Sequence, residues 1–79
     1  MTQADKLLEK MRRNPRDWRI ADFEVLAIRF GLKVRKGGGS HAVFFHEGTG
    51  RALSVPARKP IKPVYAQAFV ALLDDIGAK

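Results

Sequence analysis

Apolar residues Ala4, Leu7, Leu8 and Met11 recur at the spacing of one helix face, and Thr2 stands where an N-cap hydroxyl closes a first turn. Asn14-Pro15-Arg16-Asp17 ends this helix, because proline disfavours the helical conformation in the residue before it. A second stripe places Phe23, Leu26, Ala27 and Phe30 at i, i+3, i+4 and i+7, with Gly31 as its stop. Past Gly31 the period drops to two. Leu32 to Lys36 alternates apolar and basic residues like a half-buried strand. Gly37-Gly38-Gly39 is a turn or loop, Ser40 to His46 a second strand rich in β-formers, and Glu47-Gly48-Thr49-Gly50 a hairpin connection. Arg51 to Val55 is a third strand, with Leu53 and Val55 on one face and Pro56 closing it. A basic, proline-bearing loop runs from Ala57 to Pro63. From Val64 the helical period returns, with Tyr65, Ala68, Phe69, Leu72, Leu73 and Ile76 on one side and Pro63 and Gly77 at the boundaries.

The predicted order is α-α-β-β-β-α. Three consecutive strands with short links form an antiparallel meander. The helix stripes need a common apolar surface, and one face of the sheet is the large one available. The expectation is an α+β two-layer sandwich: a three-stranded antiparallel sheet with helices on one face and the other face open.

At 79 residues the chain is expected to be one domain with a thin core, since a domain of this size buries only about 60% of its unfolded surface. No apolar run reaches the roughly 20 residues that span a membrane, and the polar start Met1-Thr2-Gln3-Ala4-Asp5 predicts no secretory signal. Cysteine is absent, which excludes disulfides and thiolate chemistry. A cytoplasmic protein without membrane association is expected.

Charge sharpens this picture. The net charge is +7 and the pI near 10.4. Eight basic residues and one acid, Glu47, lie between Arg29 and Lys62, while the rest of the chain carries seven of each sign. All of the excess therefore sits in the middle of the chain, the electrostatic footprint of nucleic-acid binding. A solubilising surface or a patch for an acidic protein has the same composition.

Gly37-Gly38-Gly39-Ser40-His41 is the segment with candidate chemistry. Its glycines allow close backbone approach to a ligand, and their amides suit a phosphate. A Walker-type loop and a nucleophile elbow are both excluded, because a strand rather than a helix follows. Two histidines without cysteine are too few for a zinc site. His41 can take or give a proton at neutral pH, although a lone histidine after a glycine loop is more often structural or solvated. His46 lies five residues further along the same strand, on the opposite face, so the two are not an acid–base pair; a surface or turn position suits it. Phe44 and Phe45 are adjacent, so one of them leaves the helix-packed face. There it either stacks a base or curls under a loop.

The stretch Arg35-Lys36-Gly37-Gly38-Gly39-Ser40-His41-Ala42-Val43-Phe44, followed by Leu53-Ser54-Val55-Pro56, is similar to the HicA toxin family. Glycine-serine-histidine opening the second strand is that family's signature, and a strand ending in Val-Pro before a basic loop and a last helix continues it. The match runs from about Ile20 to Ile76. It implies a double-stranded-RNA-binding-like fold, a type II toxin that cleaves mRNA, a HicB-type antitoxin as partner, no cofactor, and His41 as the catalytic residue. Two departures stand out. Minimal members lack the N-terminal helix, which leaves residues 1–14 without an assigned role and the oligomeric state open. Glu47 stands where a proline is common.

The resulting expectation is a metal-independent endoribonuclease with His41 as general base. Lys33, Arg35, Lys36, Gly38, Gly39, Ser40, Arg51, Arg58, Lys59 and Lys62 are the candidate RNA contacts. Arg35, Lys36 and the glycine amides would stabilise the transition state, and the other cations would position phosphates. The leaving-group acid is open among water, a lysine and a second protomer's histidine. A non-catalytic RNA-binding module explains charge and fold equally well, and an acidic protein partner needs no RNA at all.

Overall fold

A computed structural model describes residues 3–36, 41–57 and 61–77. Its elements follow the expected order: α1 (Gln3–Arg13), α2 (Ile20–Arg29), β1 (Lys33–Lys36), β2 (His41–His46), β3 (Arg51–Pro56) and α3 (Pro63–Asp75). The strands form one antiparallel sheet in the order β1-β2-β3. The fold is α+β.

Local chemistry accounts for the boundaries. The Asp22 carboxylate accepts a hydrogen bond from the Arg19 backbone N–H at 3.1 Å, which closes the start of α2. At its end Gly31 takes φ +81°, and the Leu32 N–H reaches back to the Ala27 carbonyl at 2.8 Å, the Schellman arrangement that buries Leu32. Pro63 occupies the first turn of α3. β3 runs one residue past Val55 because it is an edge strand, where a proline lacking its N–H is tolerated.

One core holds the two layers together. Phe23 of α2, Phe44 of β2 and Phe69 of α3 are fully buried, with ring centroids 4.7 to 6.0 Å apart. Val55 and Ala42 close the sheet side, and Leu26, Ala27 and Leu73 the helix side. α1 belongs to this core: Ala4, Leu8 and Met11 are buried in it, and α1 packs against both α2 and α3. α3 accordingly buries more than the expected stripe, Ala66 and Val70 included, because it meets both α1 and β3. Ile61 is 2% exposed, and its N–H donates to the Trp18 carbonyl at 3.2 Å, pinning the approach to α3 against the α1–α2 connection. Among the described residues no helix is long and apolar enough to cross a membrane.

Candidate nucleic-acid interface

The register decides which side chains share a face. Val34 pairs with Phe44 and Phe44 with Leu53, while Lys36 pairs with Ala42 and Ala42 with Val55. These side chains, with His46 and Arg51 by alternation, point to the helix side. The opposite face carries Lys33 and Arg35 from β1, His41, Val43 and Phe45 from β2, and Ala52, Ser54 and Pro56 from β3. Lys33, Arg35, His41, Ala52 and Ser54 are exposed there, and Val43, Phe45 and Pro56 half-buried.

His41 opens β2, directly opposite Pro56. Its side chain is exposed on the same face as Arg35 and Lys33. His46 lies at the other end of β2. Its Nδ1 accepts the Thr49 backbone N–H at 3.1 Å and faces the Thr49 hydroxyl at 3.1 Å, so its ring belongs to the β2–β3 turn. Gly48 makes room for it: a Cβ there would stand 2.9 Å from the ring's Cε1. The two histidines are on opposite faces and do not form a pair.

The cations divide. Arg35 lies over the Phe45 ring, its guanidinium carbon 5.6 Å from the centroid. Lys33 reaches Glu47 beyond β2, and that hydrogen bond holds the Glu47 carboxyl below the usual carboxylate range. Lys36 turns to the helix side and meets Glu24 of α2 at 2.5 Å. Arg51 likewise meets Asp75 at the end of α3 at 2.7 Å. Lys62 stands at the N-cap of α3, where it lines a shallow notch with Arg16 and Asp17. The His41 face thus brings together Lys33 and Arg35, but not Lys36 and Arg51. Gly38, Gly39, Ser40, Arg58 and Lys59 lie outside the described residues.

Ser54 and Phe45 also share the His41 face: Phe45 is the aromatic that leaves the helix-packed face, with base stacking one of its two expected roles, and Ser54 was not among the expected contacts. Their signal was the two-residue alternation carried across the hairpin: counted from His41, it reaches Phe45 on β2 and, through the Val43–Ser54 pair, Ser54 on β3. Among the described residues no group of three or more His, Asp or Glu side chains converges as a metal site would require. The arrangement offers an exposed imidazole, two cations and an aromatic ring on one open surface, suited to a phosphate-bearing chain. Compared with protein families, with curated proteins and with solved structures, the chain matches none.

Proposed function

We propose that the protein is a metal-independent endoribonuclease, the toxin of a type II pair, with His41 as general base. The observation that carries this reading is the exposed His41 on the same open sheet face as Arg35 and Lys33. The resemblance of the Gly-Ser-His segment to HicA toxins supports it from the sequence side.

In the proposed reaction His41 removes the proton from a ribose 2′-hydroxyl. That oxygen bonds to the adjacent phosphorus, and the bond from phosphorus to the 5′-oxygen breaks. The departing oxygen takes a proton from the leaving-group acid or from water. The products are a 2′,3′-cyclic phosphate and a 5′-hydroxyl. A general base of this kind contributes a factor of about 10² to 10⁴. Arg35 is the described cation on the His41 face whose partner is a ring rather than a carboxylate, which suits it to the charge developing on the phosphorane. Lys33 positions the strand once it leaves Glu47.

The proposal includes an mRNA substrate, a double-stranded-RNA-binding-like fold, a cytoplasmic site of action and a HicB-type antitoxin that covers the His41 face. The test is incubation of the protein with single-stranded RNA, with and without EDTA, beside His41→Ala and a DNA of the same sequence. Cleavage that survives EDTA, spares DNA and disappears in the variant supports the reading. RNA that is bound and left intact overturns it in favour of a binding module.

A further inference from the structure

The open face has relief as well as charge. Phe45 stands on the central strand. Across β3 its partner is Ala52, and the partner of Val43 is Ser54. Both β3 residues are exposed and short. β3 is an edge strand, so the face steps down from Phe45 and Val43 to a low ledge open at the sheet margin. On the β1 side the ring is backed by the Arg35 guanidinium. His41 lies on the same strand and face, four residues away, at the far end of the ledge.

We propose that Phe45, backed by Arg35, is a stacking platform for an unpaired nucleobase, so that this face takes single-stranded rather than duplex RNA. The inference rests on the RNA-directed reading above, but not on cleavage. A base inside a duplex is stacked on its neighbours and offers no free π-face, whereas an unpaired base can be splayed onto an aromatic ring. A cation against the ring adds attraction and keeps the platform upright. The single methyl of Ala52 leaves room for a flat base beside the ring, where a large side chain would fill the ledge. A strand that places a base on Phe45 and follows the face along β2 carries its backbone toward His41.

The experiment uses the full chain carrying His41→Ala, so that RNA stays intact, and reads binding by fluorescence anisotropy. Three labelled probes of equal length are compared: a single-stranded RNA, its duplex, and the same strand with abasic sites. The single strand is expected to bind about 5- to 150-fold more tightly than the abasic strand, the range of one base–aromatic stack. Adding Phe45→Ala removes that difference, and Phe45→Tyr restores it. A fold check by circular dichroism accompanies each variant. Equal binding of duplex and single strand, no effect of Phe45→Ala, or no RNA binding at all overturns the proposal. Failure of the wild-type protein to cut RNA overturns the catalytic reading and leaves this result standing.

Discussion

Arg12 of α1 and Asp74 of α3 meet through two parallel hydrogen bonds of 2.7 and 2.8 Å, a clasp between residues 62 positions apart. The clasp lies at the surface, with the two side chains 39% and 33% exposed. Beneath it Met11 is 1% exposed against the helices that cover the sheet. The N-terminal helix is therefore held by burial first and charge second. Met11→Ala is expected to lower stability by about 2–5 kcal/mol, and Arg12→Ala by no more than about 1 kcal/mol. Urea denaturation of both variants checks the order. Equal losses would mean that the clasp, not the core, fixes α1.

Phe44 and Phe45 give the sharpest pair of substitutions. Phe44 is fully buried between Phe23 and Phe69, while Phe45 faces outward beneath Arg35. Phe44→Ala should cost about 3–5 kcal/mol and lose the fold of so small a domain. Phe45→Ala should leave the thermal transition within a few degrees of the parent and act on RNA affinity instead. A thermal melt beside an anisotropy titration separates the two.

Much of this was legible in the sequence because alternation and helical spacing are direct consequences of geometry. The element order, the split of Phe44 from Phe45, the opposite faces of His41 and His46, and the apolar stripe of α1 all follow from periods of two and 3.6. The division of the cations was half legible. Lys36 shares the parity of Val34, and Arg51 that of Leu53 and Val55, so the pattern already turned both toward the helices. That Glu24 and Asp75 meet them there depends on where α2 and α3 end against the sheet, which is a tertiary fact. The Trp18–Ile61 bridge is of the same kind.

This division predicts unequal roles for residues that look alike in a count of charge. Arg35→Ala should weaken RNA binding and reduce the salt dependence by about one phosphate contact. Lys36→Ala and Arg51→Ala should change RNA affinity much less. Arg51→Ala removes a half-exposed ion pair to a helix and so costs at most about 1 kcal/mol of stability, whereas Lys36→Ala strands the buried Glu24 Oε2 and costs about 1–3 kcal/mol. Titrations at several salt concentrations decide. Equal slopes for all three variants would show that the helix-side pairs open when RNA binds.

The proposed reaction assigns the two histidines different roles, His41 to chemistry and His46 to the β2–β3 turn. His41→Ala is expected to cut cleavage by at least about 100-fold with the fold intact. His46→Ala should leave cleavage in place, because its Nδ1 serves the Thr49 turn at the other end of β2. It should cost about 1 kcal/mol for the lost hydrogen bond. Loss of cleavage in His46→Ala with an unchanged melt would move the chemistry to the wrong end of the strand.

Glu47 restrains Lys33, one of the two cations that the described residues place on the His41 face, and the restraint depends on pH. Lys33 holds the Glu47 carboxyl below its usual range. A carboxyl depressed in the folded state contributes its stabilisation above the ordinary carboxylate range and loses it as pH falls through the lowered value. The pair therefore stays closed at neutral pH and opens only in acid. Because it is fully exposed, its removal should barely shift the melt. Its effect should fall on RNA. With Glu47→Gln, Lys33 becomes available to a phosphate, so affinity at neutral pH should rise and the salt dependence should steepen by about one contact. The double variant Lys33→Ala with Glu47→Gln should show no such gain. Titrations of the two variants at neutral pH and two salt concentrations provide the check. A gain that persists without Lys33 would mean that the carboxylate acts by general repulsion of the backbone rather than by occupying this lysine.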